Sequence, residues 1–553
     1  MHRQTPRHLV RRTPLRGVLL AALWALPIMG TGPTALAAQS PESPLLKGGQ
    51  IRLEMLPEVR LWSERYGGTQ SPFDQTEPLA ADFFRSSVDT TFLPALQSVQ
   101  DDLRALLADS GLVADLGATR ARFQANRTEI PLGLGIGIFD WLTVGVKVPF
   151  VRRRVEVDLA LDPTTATLGR SPGLNDAAVQ TYLAELSAVI DHVTALVDQR
   201  CTTLGSSDPV CVRGQNALGE ANLLSSNLGD AYLGLFFPLG GSAAAGALTS
   251  RAASIQALLL QEGDPTFIEQ TWVTPLPFAN SGLSEDDLQT LMTAGAYGVS
   301  ADPISSQRSL WELGDVEFSA ALRLFEHVPA RDPATRVDTA GAPTSGGGLG
   351  VLLGVGATYR LGTGTPDLAR NFVDLGSGDG QDDIELQVFG RLDLGGRIRT
   401  RFEARYGMPQ EGQVTRRIGA PDQPIRPIST ERVVTWQPGT YLDAMIAPEI
   451  RVAPEFSLGV RYRYTHKGAD TYRLPGGEDP SLPPVELLQE ETELTVQHLG
   501  IGATLWPSPR SAARDQWPLA VSAEYQRPLG GKGGAVPKDS RFSVSARLFV
   551  QLW

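Results

Sequence analysis

Over long stretches of this 553-residue chain, apolar and polar positions alternate with a period of two. In 384–394, Ile384, Leu386, Val388, Leu392 and Leu394 share one parity, and Glu385, Gln387, Phe389, Arg391 and Asp393 share the other. After Gly395-Gly396, Ile398, Thr400, Phe402, Ala404 and Tyr406 alternate with Arg397, Arg399, Arg401, Glu403 and Arg405. This period predicts strands with one apolar and one polar face. It recurs at 50–62, 128–139, 142–153, 314–325, 349–361, 440–452, 456–466, 492–505, 517–527 and 541–553, giving about twelve candidate strands with the pair above. Strand 492–505 changes phase near His498, which predicts a bulge or a shifted register.

The polar faces decide how these strands close. Four arginines and an acid on one strand face would each cost several kcal/mol as unpaired ions in a dry sandwich. A wet lumen removes most of that cost, and the facing strand offers Asp393, Glu385 and Asp383 as partners. Past the N-terminal region no apolar run approaches the roughly 20 residues of a spanning helix. The expectation is therefore an all-β fold, a transmembrane antiparallel β-barrel whose apolar faces meet lipid and whose polar faces meet water. Connection lengths agree, because four of the five inner turns are the four shortest connections in the chain. The last strand ends on Trp553, whose parity is opposite to that of its apolar face.

Residues 154–313 interrupt the strand pattern as a 160-residue outer insertion. Asn175 or Asp176 can cap a helix carrying Val179, Leu183, Leu186, Ile190, Val193 and Val197, and further helical spacing runs over 244–261 and, in the first loop, 93–108. Such an insertion reads as a helical cap packing on itself, or as a plug folding into the barrel mouth. One segment, 228–237, looks like the strand at 313–322; paired with 266–277 it would make fourteen strands the alternative count.

The first 38 residues read as an export signal, with five arginines, the apolar core Gly17 to Met29 and a cleavage site at Ala35-Leu36-Ala37. Its removal takes the formal charge from −12 to −17, a poor match to nucleic acid. Residues 39–553 are then the barrel. Cys201 and Cys211, the only cysteines, read in an exported chain as a local disulfide.

Candidate chemistry is sparse. No HExxH, CxxC, GxSxG or GxxxxGK[ST] motif occurs, and neither an enzyme nor a cofactor or metal is indicated. His466 and His498 lie on strands, as a membrane phospholipase would require, but neither has an evident serine partner. The Gly- and Asp-rich run 374–383 could offer oxygen ligands to calcium, though not at EF-hand spacing. The candidate pore-lining residues are Arg397, Arg399, Arg401, Glu403 and Arg405, with Glu385, Asp393, Arg360, Arg461 and Arg463 across or beside them.

Three segments, 130–153 (IPLGLGIGIFDWLTVGVKVPFVRR), 312–325 (ELGDVEFSAALRLF) and 348–367 (GLGVLLGVGATYRLGTGTPD), followed by the strand pair 383–407, resemble a family of bacterial outer-membrane β-barrel transporters of the phenol-degradation meta-pathway type. The resemblance covers most of the barrel but not the insertion. It implies an address in the bacterial outer membrane, contact with outer-membrane lipid and the barrel-insertion machinery, and passage of a small-molecule solute, often hydrophobic or aromatic. It supplies no catalytic residue. Two functions follow as expectations: a channel or facilitator for passive uptake of small molecules, or a closed structural or adhesive barrel displaying its large outer loop.

Overall fold

In a computed structural model of the protein, the described residues are 43–552 apart from 69–70, 95, 108, 110, 329–347, 454, 506–518 and 535. The export signal predicted over residues 1–38, and Trp553, lie outside them.

Twelve antiparallel strands close into one barrel. Strand β1 comprises Gln50–Met55 and Glu58–Trp62, broken at Leu56-Pro57 because a proline offers no ladder N–H. It is followed by β2 (Ala118–Phe139), β3 (Leu142–Asp162), β4 (Val316–His327), β5 (Leu349–Leu361) and β6 (Asp383–Leu394). The other half is β7 (Ile398–Pro409), β8 (Tyr441–Ala453), β9 (Phe456–Lys467), β10 (Leu494–Leu505), β11 (Leu519–Lys532) and β12 (Ser540–Gln551). Each strand pairs with its sequence neighbours, and β1 closes the cylinder onto β12, with Leu53 opposite Leu548. The turn 395–397 puts Leu394 opposite Ile398, so both apolar rows stay on the outside. The phase change near His498 is a bulge carried by the neighbouring strand, where Leu529 is skipped between Gly530 opposite Gln497 and Pro528 opposite His498.

Ile384, Leu386, Val388, Leu392 and Leu394 on the outward row of β6, and Ile398 and Tyr406 on that of β7, are exposed, as a lipid-facing surface must be, while Asp383 and Glu385 on the inward row are buried. A twelve-residue strand at about 3.3 Å per residue, tilted by about 40°, covers roughly 30 Å of height. Strands β2 and β3 are almost twice as long as the others and pair along their whole length, from Gly137 opposite Thr143 to Ala118 opposite Asp162. The predicted boundaries at 128 and 153 are therefore too short, and the outer ends of these strands project as a two-stranded ribbon.

That ribbon carries the helices. Asp176 caps α2 (Ala177–Leu204) by accepting from the amides of Ala178 and Val179. The remaining helices are α1 (Leu96–Leu107), α3 (Pro209–Leu233), α4 (Ala243–Glu262), α5 (Pro265–Thr271) and α6 (Glu285–Thr293). One hydrophobic core joins them to Phe123, Val155 and Leu159 of the ribbon, to Val373 of the β5–β6 loop and to Ile425 of the β7–β8 loop. These helices thus form one structure shared by several loops at the same end of the barrel.

The fourteen-strand alternative is overturned. Residues 228–233 end helix α3, because Leu224, Leu228 and Tyr232 continue its buried stripe at four-residue spacing, and most of 266–277 lies in α5 or in coil. Cys201 and Cys211 form a disulfide across the α2–α3 turn, sulfur to sulfur.

Candidate functional site

The inward faces of the twelve strands carry a dense network of arginines and carboxylates. The hairpin β6–β7 sets its register: Asp393 stands opposite Arg399, Arg391 opposite Arg401, Phe389 opposite Glu403 and Gln387 opposite Arg405. Only Asp393 with Arg399 is therefore an opposite-charge pair directly across the hairpin, and Asp393 also holds Arg391, at 2.7 Å to each. The expectation that the arginine row meets Asp393, Glu385 and Asp383 on the facing strand holds for Asp393 with Arg399 and for Glu385 with Arg405, and is corrected for Asp383, which pairs with Arg360 instead. Arg405 also pairs with Glu403 of its own strand, and its contact with Glu385 is the longer of the two, at 3.9 Å.

The acids at the outer end of β6 serve a different strand. Arg360 on β5 reaches Asp383 at 2.6 Å and also binds Glu385, while Glu317 on β4 lies 3.6 Å away. Tyr441 adds its hydroxyl to the same group. Further round the wall, Arg463 pairs with Asp443 at 2.7 Å and Arg461 with Glu524 at 2.8 Å. Arg401 sits among Arg461, Arg547, Glu449 and Glu524. A small cavity of about 30 Å³, roomy enough to hold water, lies beside Arg401 and Arg461. Of the ten sequence-predicted residues, nine lie on inward rows; Arg397 does not, because the three-residue turn takes it out of the strand to an exposed position.

Several members of the network were absent from the sequence-based selection. Glu54 binds both Arg52 and Arg547 at 3.2 Å, Lys147 binds Glu317 at 2.6 Å, and Asp539 bridges His498 and Arg541. Each basic member lies on the polar parity of a strand that the alternation had already identified, so ranking inward charges on all strands would have found them.

Two segments of the chain pack against inward residues near the ends of the barrel. At the outer mouth, the loop 374–377 folds against inward arginines of the ribbon strands: Arg153 binds Asp374 at 2.6 Å, and Arg127 donates to the carbonyl of Ser377 at 3.1 Å. At the opposite end, Ser43 to Gly49 lie inside the barrel rather than below it. Leu45 is 3% exposed and packs on Ala321, Leu352 and Phe389, which face inward from β4, β5 and β6. Leu46 is 1% exposed and donates its amide to Thr143 Oγ1 at 2.7 Å. Gly48 and Gly49 bind Asp140 and the carbonyl of Gly137. Gly137 has to be glycine, since a Cβ there would stand 1.9 Å from the Lys47 carbonyl. Sequence pattern gave no sign of this segment, which has neither strand nor helix period.

One irregularity of the wall lies between β8 and β9. The β8–β9 ladder passes from Ile446 opposite Tyr462 to Glu449 opposite Gly459, skipping Ala447 and Pro448. Pro448 has no N–H to donate, and the cavity beside Arg401 lies against this gap.

His466 and His498, the two histidines singled out from the sequence, occupy ordinary positions. His466 Nδ1 is 3.0 Å from Thr495 Oγ1, and His498 Nε2 is 3.0 Å from Asp539. Among the described residues no serine hydroxyl joins either ring. The Asp-rich loop is held by protein groups, with Asp374 on Arg153, Asp382 on Tyr359 and the Gly362 amide, and Asp383 on Arg360. No metal-binding cluster occurs among the described residues.

No family model and no curated protein matches this chain. Similar solved structures include an outer membrane channel from Pseudomonas putida F1, at 9% identity over 93% of this chain and 100% of that one, with a TM-score of 0.38. A Pseudomonas aeruginosa FadL homologue is 8% identical over 91% of each chain, TM-score 0.26. The translocator domain of the autotransporter NalP from Neisseria meningitidis is 6% identical over 91% and 88%, TM-score 0.27. At this distance they set neither cargo nor mechanism for the present chain. The class is defined by the chain's own architecture: a closed antiparallel barrel with an apolar outside and an ionic inside, the construction of bacterial outer-membrane proteins.

Proposed function

We propose that the protein is an outer-membrane channel for small solutes whose resting lumen is occupied by its own N-terminal segment. The observation that carries this reading is the inward network. A barrel serving only as a scaffold can fill its interior with apolar side chains, and ionised rows of Arg399, Arg401, Arg405, Arg461 and Arg463 are stable only where water or close acids attend them. The inward row of β7 carries three arginines against one glutamate, which gives that strip of the path a positive bias, while the neighbouring inward row of β6 is acidic.

Passage then requires two displacements, of the Ser43 to Gly49 segment at one end and of the 374–377 loop at the other. Solutes that carry a carboxylate or a polar ring substituent can exchange with the ion pairs; fully apolar solutes gain nothing from them. The lumen thus suits polar or anionic small molecules, aromatic ones included, better than hydrocarbons. Reversal potentials across a planar bilayer in a salt gradient test the reading. Arg399→Glu, Arg401→Glu and Arg405→Glu together should move the preference from anions toward cations, and unchanged selectivity would remove these residues from the path.

A further inference from the structure

The outward wall of β3 changes character abruptly at one height. Leu142, Val144, Val146, Val148 and Phe150 make its lipid-facing row, and the next two positions on that row are Arg152 and Arg154. Residues 307–313 run beside this strand as two short pieces, with Leu313 opposite Phe150 and Arg308 opposite Arg154. Two guanidinium groups therefore stand directly across a ladder on an exposed face, an arrangement that destabilises a sheet unless an anion lies between them.

The surroundings are specific. Arg152 lies over the ring of Trp311, 5.6 Å from its centre, and Leu310 beside it is 84% exposed. Arg154 is held at 2.6 Å by Glu156, one step further out. Among the described residues, neither Arg152 nor Arg308 has a carboxylate partner. Moving outward, the face thus runs apolar, then aromatic and basic, and only then acidic, with Glu156 and Asp158. Tryptophan belongs at the boundary between hydrocarbon and headgroups, and arginine holds phosphate in a planar fork.

We propose that Arg152, Arg154 and Arg308, with Trp311 beneath them, form a docking site for the phosphate of an outer-leaflet glycolipid, its acyl chains lying along Phe150 and Leu313. The site is on the outside of the wall and does not depend on whether the lumen conducts.

The test uses the full mature protein folded in detergent. Its heat-modification midpoint is measured alone, with phosphorylated lipid A, with dephosphorylated lipid A, and with inorganic phosphate. Phosphorylated lipid A should raise the midpoint in the wild type and in the control Arg120→Gln/Arg122→Gln, which alters the same ribbon further out. The triple variant Arg152→Gln/Arg154→Gln/Arg308→Gln should bind it at least tenfold more weakly. Should the triple variant not fold, Arg308→Gln alone should weaken binding severalfold. An equal response to dephosphorylated lipid A, an equal response to inorganic phosphate, or wild-type affinity in the arginine variants would overturn the proposal.

Discussion

Leu45 and Leu46 anchor the lumenal segment, and truncating both should unlatch it. Each is buried as deeply as a core leucine, and replacing such a residue by alanine costs about 2–5 kcal/mol. Taking the lower value for each because the segment is short, Leu45→Ala/Leu46→Ala weakens docking by about 4 kcal/mol. At 1.4 kcal/mol per decade, this is roughly a thousandfold change in the docked-to-released ratio. The backbone contacts of Leu46, Gly48 and Gly49 remain, so the segment is loosened rather than removed. Single-channel recording supplies the assay: open probability should rise steeply in the double variant while the barrel's heat-modification midpoint changes little. If open probability stays at the wild-type level and the variant folds, the segment does not control the path.

Other consequences are independent of that latch. Arg360→Met leaves Asp383 and Glu385 without their shared cation, and removing one partner of a buried pair costs about 3–5 kcal/mol. The heat-modification temperature should fall, more than for Arg397→Met in the exposed turn. Reducing Cys201–Cys211 opens a loop of ten residues' separation, worth about 3 kcal/mol in chain entropy. Reduction should make the α2–α3 tip protease-sensitive and leave barrel migration on a gel unchanged. Arg417→Ala removes a buried guanidinium that donates to the carbonyls of Val299, Ser300 and Arg426, tying the β7–β8 loop to the insertion. Proteolysis of that loop should accelerate without any change in conductance.

The barrel was legible because lipid and water impose opposite demands on adjacent residues, and Ile384 to Leu394 records them one by one. Strand ends were less legible where a second environment took over. Phe123, Val155 and Leu159 continue the alternation past the membrane, but they face a protein core instead of a lumen, and the Arg152-Arg153-Arg154 run disguised the continuity. Ion-pair partners were the weakest inference. Parity places Arg399, Arg401 and Arg405 on one face, yet which acid each reaches depends on register and on strands remote in sequence, as Arg461 with Glu524 shows. Ser43 to Gly49 carried no pattern because its position is fixed by single contacts, not by a repeating face.

The central claim, an aqueous path through an arginine-lined barrel, is tested most directly by recording the folded mature protein in a planar bilayer at two salt concentrations. Discrete openings whose conductance scales with salt, and which become frequent in Leu45→Ala/Leu46→Ala, are the predicted result. A correctly folded, heat-modifiable barrel that stays silent in both forms would contradict the account.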